Sequence, residues 1–108
     1  MNKYLLIESR DPFDSHDSCL FHDLARGQAR EGNEVTVFLI QNGVLPARKD
    51  SIYADRLTEL VENGVTVLAD DFSLRERAVR RLTEGVQPST VDALVTLALT
   101  EGTKTLWH

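Results

Sequence analysis

The sequence predicts one α/β domain over residues 1–108, with a mainly parallel sheet of four to five strands and helices on both faces. Short runs rich in Val, Ile, Leu and aromatic residues alternate with segments whose apolar residues recur at helical spacing. The runs at 35–40 and 65–69 are apolar almost throughout, which is typical of strands covered on both faces of a parallel sheet. A chain of 108 residues with 42% hydrophobic and 27% charged residues fits one core of this kind.

Four strands are expected, and the order of elements follows from them. They lie at 4–8, 35–40, 65–69 and 105–107, where β-branched, leucine and aromatic residues dominate. One helical pattern follows each of the first two strands and two follow the third, which gives the order β-α-β-α-β-α-α-β. Connections of this kind imply right-handed crossovers between parallel strands.

Capping and turn residues bound the first two helices. The first should begin near Asp14 or Ser15, whose side chains can accept hydrogen bonds from free backbone N–H groups, and end at Gly32. Its expected inward stripe is Leu20, Phe21, Leu24 and Ala25. The second helix is expected over 52–63, ended by Gly64, with an inward face formed by Tyr53, Leu57, Leu60 and Val61.

The third and fourth helices carry start signals of their own. Ser73 and Glu76 have the spacing of a capping box, so a helix is expected from there to Gly85. Its expected inward residues are Leu74, Ala78, Val79 and Leu82. The fourth helix should begin after Pro88 with Ser89 as its cap, and its apolar residues lie on several sides. That distribution predicts a helix that is deeply buried or part of a subunit interface.

Composition narrows the classes of function. The net charge of −5 argues against broad binding to nucleic acid, because such binding depends on Lys and Arg neutralising phosphates. No apolar run approaches the length of a membrane span, and the first residues do not resemble an export signal. The single cysteine cannot form an internal disulfide, so a cytoplasmic location is expected. Dinucleotide, phosphate-loop and nucleophile-elbow motifs are absent, and no cofactor is expected.

Polar residues follow the predicted strands at the edge where parallel α/β sheets gather ligands. The candidate ligand-binding residues are Ser9, Asp11, Asn42, Gly43, Asp70, Asp71 and Ser73. The three aspartates could form a Mg²⁺ site or a phospho-accepting site. Acidic residues just before a helix are also favoured by its N-terminal dipole, so turn and capping roles are the stronger interpretation.

Cys19 is the candidate catalytic residue. On a helical wheel it lies opposite Leu20 and Leu24, together with His22, Asp23 and Arg26 on the expected outer face. A position near the start of a helix and close to a histidine favours the thiolate. Two interpretations stay open, an inert small residue at a packed or subunit surface and a thiol that accepts or passes on sulfur.

Two further clusters have an ordinary explanation beside a functional one. His16, Cys19, His22 and Asp23 have the helical spacing of metal ligands, but one helix face rarely closes a tetrahedral site, so no metal is predicted. The third helix is expected to carry four arginines, Arg75, Arg77, Arg80 and Arg81. The last three share a face that could hold an anion, a partner or RNA phosphate. Such runs are usually solvated.

The whole pattern resembles the DsrE/DsrF/DsrH sulfur-relay family. The likeness is carried by residues 5–13, 38–44, 67–70 and 74–79, and it covers nearly the whole chain. It is greatest to the DsrH or TusB branch, in which a Pro-Phe turn, a Ser-Cys-Leu near the first helix and a terminal Trp recur. The matching residues are Pro12-Phe13, Ser18-Cys19-Leu20 and Trp107.

The resemblance implies a small subunit that assembles into oligomers and passes persulfide sulfur between cysteines, for tRNA thiolation or sulfur oxidation. It also implies that Asp70 occupies the place of the DsrE-type active cysteine and Ser73 that of a second cysteine in some relatives. We therefore expect an accessory or structural subunit, in a homo-oligomer or with related subunits, with Cys19 as the only thiol that could take part. The alternatives are a small-molecule or Mg²⁺-binding domain that uses the strand-end loops, and a homo-oligomeric scaffold without chemistry.

Overall fold

Five strands and four α-helices alternate along the chain, and the computed structural model describes all residues from 1 to 108. The strands are β1 (Lys3–Glu8), β2 (Glu34–Leu39), β3 (Thr66–Asp70), β4 (Gln87–Ser89) and β5 (Thr103–Trp107). The helices are α1 (Asp17–Arg30), α2 (Ala54–Glu62), α3 (Asp71–Glu76) and α4 (Val91–Leu99). A 3₁₀ segment, Gln41–Ala47, follows β2.

The strands form one parallel sheet in the order β4-β3-β2-β1-β5. This confirms the predicted fold class, a mainly parallel sheet with helices on both faces. The predicted order of elements lacked β4, which lies between α3 and α4. Only three residues long, with two exposed residues and a proline, β4 carries none of the apolar signal that marks the other strands.

Alternating side chains of the central strands build a core on each face of the sheet. Leu6, Val37 and Val67 belong to the larger cluster, which also contains buried residues of α1 and α2. Leu5 and Phe38 point to the opposite face, where α4 contributes Leu94. One face of the sheet is therefore covered by several helices and the other by α4 alone.

The predicted inward stripe of α1 is right for two of its four residues. Ala25 is buried and Phe21 packs against the core as predicted, but Leu20 and Leu24 are exposed. Ser18 and His22 are buried in their place. The helix begins at Asp17, and its N-cap residue, His16, makes no capping hydrogen bond through its side chain. Sheet contact has overridden the apolar pattern of the isolated helix. His22 consequently does not share an outer, solvated face with Cys19, which is itself partly buried.

The third helix is much shorter than predicted, and its cap is a different residue. The side chain of Asp70 accepts the backbone N–H of Ser73, so Asp70 and not Ser73 is the N-cap. The helix ends because Val79 N–H donates to the carbonyl of Leu74 and Ala78 N–H donates to that of Arg75, the two bonds of a Schellman motif. The left-handed residue of that motif is Ala78, with φ of 53°, where glycine is usual.

The remaining helices match their predictions in part. Leu57 and Leu60 of α2 are buried as predicted, and the chain leaves the helix through Gly64, which has a positive φ. Helix α4 is capped by Thr90, whose side-chain oxygen accepts the N–H of Ala93, because Ser89 belongs to β4. Of the two alternatives predicted for α4, deep burial is wrong, because apolar residues along one of its faces are exposed, and a subunit interface stays a prediction. None of the helices is long and apolar enough to cross a membrane.

Candidate functional site

The carboxyl ends of β2 and β3 meet in a buried hydrogen-bonded cluster. Asp70 Oδ2 accepts the backbone N–H of Ser73 at 2.9 Å and its hydroxyl at 2.7 Å. Ser73 Oγ in turn accepts the backbone N–H of Gln41 at 2.8 Å. Asp70 and Ser73 are both almost completely buried. Their polar atoms hold the α3 N-terminus against the start of the 3₁₀ segment, which is a structural use of both side chains.

Asn42 and Gly43 join this cluster from the loop after β2. Asn42 Oδ1 accepts from Nε of Arg77 at 2.9 Å, and Arg77 also donates to the Ser73 carbonyl. Gly43 has a different requirement, because a Cβ built on it would lie 2.1 Å from the carbonyl oxygen of Glu8. Only glycine allows the 3₁₀ segment to lie so close to the end of β1.

The other strand-end candidates make separate contacts. Asp71 pairs with Arg75 one turn further along. Asp11 is buried, and its side chain and carbonyl accept N–H groups of the following turn. Ser9 donates through its backbone and its hydroxyl to the carbonyl of His108. The sequence-predicted set is thus divided between the Asp70 cluster, a turn and the end of β5.

A buried acid–histidine pair was missed by sequence reasoning. Glu8 is fully buried at the end of β1, and both of its carboxylate oxygens lie 3.0 Å from Nδ1 of His108. The backbone N–H of Arg10 donates to the same carboxylate. Burial raises the pKa of Glu8, and its hydrogen bonds to His108 and Arg10 oppose that rise. The pair is visible only once β5 is known to lie beside β1.

His22 is a second buried ionisable group that the sequence placed on the surface. Neither of its ring nitrogens has a hydrogen-bond partner. Burial, followed by repulsion from Arg56, lowers the pKa of His22 to about 4. Outside it, Asp23 pairs with Arg26 and Arg56, and Arg26 also reaches Glu59 at 2.5 Å. The imidazole is therefore neutral at pH 7 beneath a network of charges.

The carboxylates do not assemble into a metal site. No group of three or more His, Cys, Asp or Glu side chains lies close enough together to hold a metal ion. Asp70 and Asp71 are adjacent in sequence, but Asp70 accepts a hydrogen bond from Ser73 and Asp71 forms an ion pair with Arg75. The magnesium hypothesis therefore lacks the convergent oxygen ligands that it requires.

A shallow cleft of about 200 Å³ lies beside the Asp70 cluster, between the first turns of α3 and α4. Its walls include Asp70 and Asp71 from one helix start and Asp92 from the other. Phe72 and Val91 also line it, and both are exposed apolar side chains. The lining of this strand-end cleft thus combines three acidic side chains with two apolar ones.

Comparisons with known proteins identify the fold and the family. E. coli ychN protein is 18% identical over 100% of both chains, with a TM-score of 0.91. The protein of unknown function MTH1491 from Methanobacterium thermoautotrophicum is 23% identical over 100% of both chains, with a TM-score of 0.85. BT1422 from Bacteroides thetaiotaomicron, also of unknown function, is 18% identical over 98% of this chain and 95% of its own, with a TM-score of 0.79. No curated protein matches the sequence significantly. The DsrE/DsrF-like family model matches residues 2–107, and the chain belongs to that family.

Proposed function

We propose that this protein is a cytoplasmic subunit of an oligomeric sulfur-relay assembly. Its main role is to support partner subunits, and Cys19 is the thiol that carries sulfur. Membership of the DsrE/DsrF-like family supports the general assignment. The resemblance to the DsrH or TusB branch supports an accessory role, because Asp70 and Ser73 stand where the resemblance places the cysteines of other branches.

The observation that carries the proposal is an exposed apolar row on α4. Val91, Val95 and Leu99 are 52%, 48% and 79% exposed, and their spacing of four residues puts them on one side of the helix. Aligned apolar side chains that face water are typical of surfaces that contact another protein. The row begins at the strand-end cleft, because Val91 is also one of the residues that line the cleft. A neighbouring subunit seated on α4 would therefore also cover that cleft.

The strand-end cluster supports the assignment of sulfur transfer to Cys19. The side chains of Asp70 and Ser73 offer only oxygen atoms there, and Asp70 Oδ2 and Ser73 Oγ already take part in hydrogen bonds within the fold. A protein can carry persulfide sulfur only as a second sulfur atom bonded to the sulfur of a cysteine. The chain has one cysteine, Cys19, which is partly exposed and lies in the first turn of α1.

The proposed step is an exchange without net oxidation. The Cys19 thiolate attacks the terminal sulfur of a donor persulfide, and a new S–S bond forms on Cys19. The S–S bond of the donor breaks, and its electron pair leaves with the donor sulfur as a thiolate. That thiolate takes up the proton lost from Cys19. Reversal of the same step toward an acceptor thiol passes the sulfur on.

Two measurements test the two parts of the proposal. After incubation with a persulfide donor, intact-protein mass spectrometry should show an added mass of one sulfur atom, lost in Cys19→Ser. Native mass spectrometry should show an oligomer that Leu99→Asp dissociates. Ile52→Asp is the matched control, because Ile52 is also 79% exposed but lies outside α4.

The outcomes separate the alternatives. An oligomer without a sulfur adduct would identify a scaffold and overturn the carrier role of Cys19. A monomer at all concentrations, or equal dissociation by Leu99→Asp and Ile52→Asp, would overturn the assignment of α4 as the contact surface.

A further inference from the structure

A cationic cleft of about 300 Å³ shares no lining residue with the strand-end cleft. We call it the basic cleft, and its six lining residues are Arg48, Lys49, Asp50, Ala78, Arg80 and Arg81. Four of the twelve Lys and Arg residues of the chain are collected there, with one acid. The lining therefore carries a charge of +3 in a protein whose net charge is −5. Sequence reasoning had placed Arg80 and Arg81 on a helix with Arg77, a grouping that the structure does not support.

Backbone hydrogen bonds fix the two walls of the basic cleft to one another. The N–H of Lys49 donates to the carbonyl of Arg81 at 2.8 Å, and the N–H of Thr83 donates to that of Ala47 at 2.8 Å. Arg48 and Leu82 form an antiparallel bridge between these bonds. Ala47, Val79 and Leu82 anchor the walls in or against the core. The cationic side chains thus project from a fixed backbone, so a ligand must order the side chains but not the backbone when it binds.

The four cations have no partners within the protein. None of them takes part in an ion pair or donates a side-chain hydrogen bond, and all four are exposed. Of the other eight Lys and Arg residues of the chain, five form an ion pair with an acid: Lys3, Arg26, Arg56, Arg75 and Arg77. Unpaired like charges held together repel one another, and an anion bound among them would relieve that repulsion.

The walls also contain two residues in the left-handed region. Asp50 has φ of 68° and Ala78 has φ of 53°, and they are two of the three non-glycine residues of the chain with positive φ. Neither residue type adopts this conformation without cost, although aspartate tolerates it better than alanine. Both residues line the basic cleft, so their energetically unfavourable backbone conformations shape its walls.

We propose that the basic cleft binds a compact ligand that carries two or more phosphate groups. Three guanidinium groups supply the planar, paired donors that suit phosphate oxygens, and Lys49 adds a point charge. Ala78 is the only apolar residue in the lining, so recognition rests on charge and not on an apolar body. The volume lies at the lower end of the range for small-molecule sites. A long polyanion is disfavoured because the rest of the protein is acidic. This inference is independent of the proposed sulfur transfer.

Isothermal titration calorimetry with inorganic tripolyphosphate at low ionic strength tests the proposal. The double variant Arg80→Gln, Arg81→Gln should bind at least about tenfold more weakly, because charge-assisted hydrogen bonds are lost. The matched control is Arg30→Gln, Lys104→Gln, which removes the same charge outside the cleft and should change the affinity less than about twofold. Thermal unfolding of both variants checks that the fold is retained.

Further probes identify the source of the phosphate. Equal affinity for ATP and tripolyphosphate would show recognition of the phosphates alone, and tighter binding of ATP would show that a nucleoside extends the site. Both results support the proposal. It is overturned if tripolyphosphate does not bind, if the two double variants lose affinity equally, or if a short single-stranded oligonucleotide binds more tightly than either phosphate probe.

Discussion

Replacement of His22 should stabilise the protein and remove a large part of its sensitivity to acid. His22 is only 2% exposed, and both ring nitrogens lack partners. Leaving a buried polar group without a hydrogen bond costs about 1–3 kcal/mol. The variant His22→Leu removes that cost while keeping an apolar side chain of similar bulk. We expect the free energy of unfolding at pH 8 to rise by about 1 kcal/mol after partial offset by imperfect packing.

The pH dependence follows from the lowered pKa. In the unfolded chain His22 titrates near its ordinary value of 6.5, whereas in the folded protein its pKa is about 4. The unfolded state therefore binds the proton first as pH falls, so stability is complete above pH 6.5 and is lost between 6.5 and 4. A difference of 6.5 − 4, or about 2.5 pKa units, corresponds to about 3 kcal/mol in full and about 2 kcal/mol at pH 5.

Urea unfolding at pH 8 and pH 5 measures this quantity. The loss of stability between the two pH values should be about 2 kcal/mol smaller in His22→Leu than in the unmodified protein. The raised pKa of Glu8 acts in the opposite direction, and comparison of two variants at the same pH cancels its contribution. His16→Leu is the control, because it removes an exposed imidazole from the residue just before α1. Equal losses in the His22 variant and the unmodified protein would refute the reasoning.

Two substitutions that involve glycine, each with a control, test the local backbone. Ala78→Gly should raise the free energy of unfolding by about 0.5–1 kcal/mol, because glycine adopts the left-handed conformation freely. The control Ala29→Gly, inside α1, should lower it by a similar amount. If thermal unfolding showed that both variants change the stability in the same direction, the Schellman assignment would be contradicted. Gly43→Ala should lower the free energy of unfolding by more than about 2 kcal/mol, because the added Cβ would clash with the Glu8 carbonyl. The control is Gly27→Ala, whose added Cβ would contact no other atom and which should stabilise α1. A neutral Gly43→Ala in the same measurement would show that the two segments can separate without cost.

The central sheet could be predicted because its information is local. Strands β1, β2 and β3 carry apolar residues on both faces, a composition typical of buried strands in a parallel sheet. Strand β4 could not be found in the same way. Its three residues pair with β3 along the sheet, but an exposed Gln and an exposed Pro are not residues that predict a strand.

The roles of the site residues are harder to predict from the sequence, because those roles depend on neighbours that are distant along the chain. Asp70 was placed correctly at a strand end, and its capping role agrees with the helix-dipole interpretation. The spacing of Ser73 and Glu76 fits a capping box and predicts Ser73 as the cap, but Asp70 performs that role three residues earlier. Leu20 and Leu24 predict an inward face that puts His22 on the surface, but both leucines are exposed in the structure.

The position of β5 has a consequence for the order in which the sheet can be completed. Strands β2, β3 and β4 add to β1 in one direction as the chain proceeds, whereas β5 joins β1 on its other side. His108 and Glu8 are 100 positions apart in sequence but in direct contact. During synthesis on the ribosome, one edge of β1 must therefore stay unpaired until the last strand has emerged. An open parallel edge can pair with another chain, so this intermediate is open to misassembly until β5 covers the edge of β1.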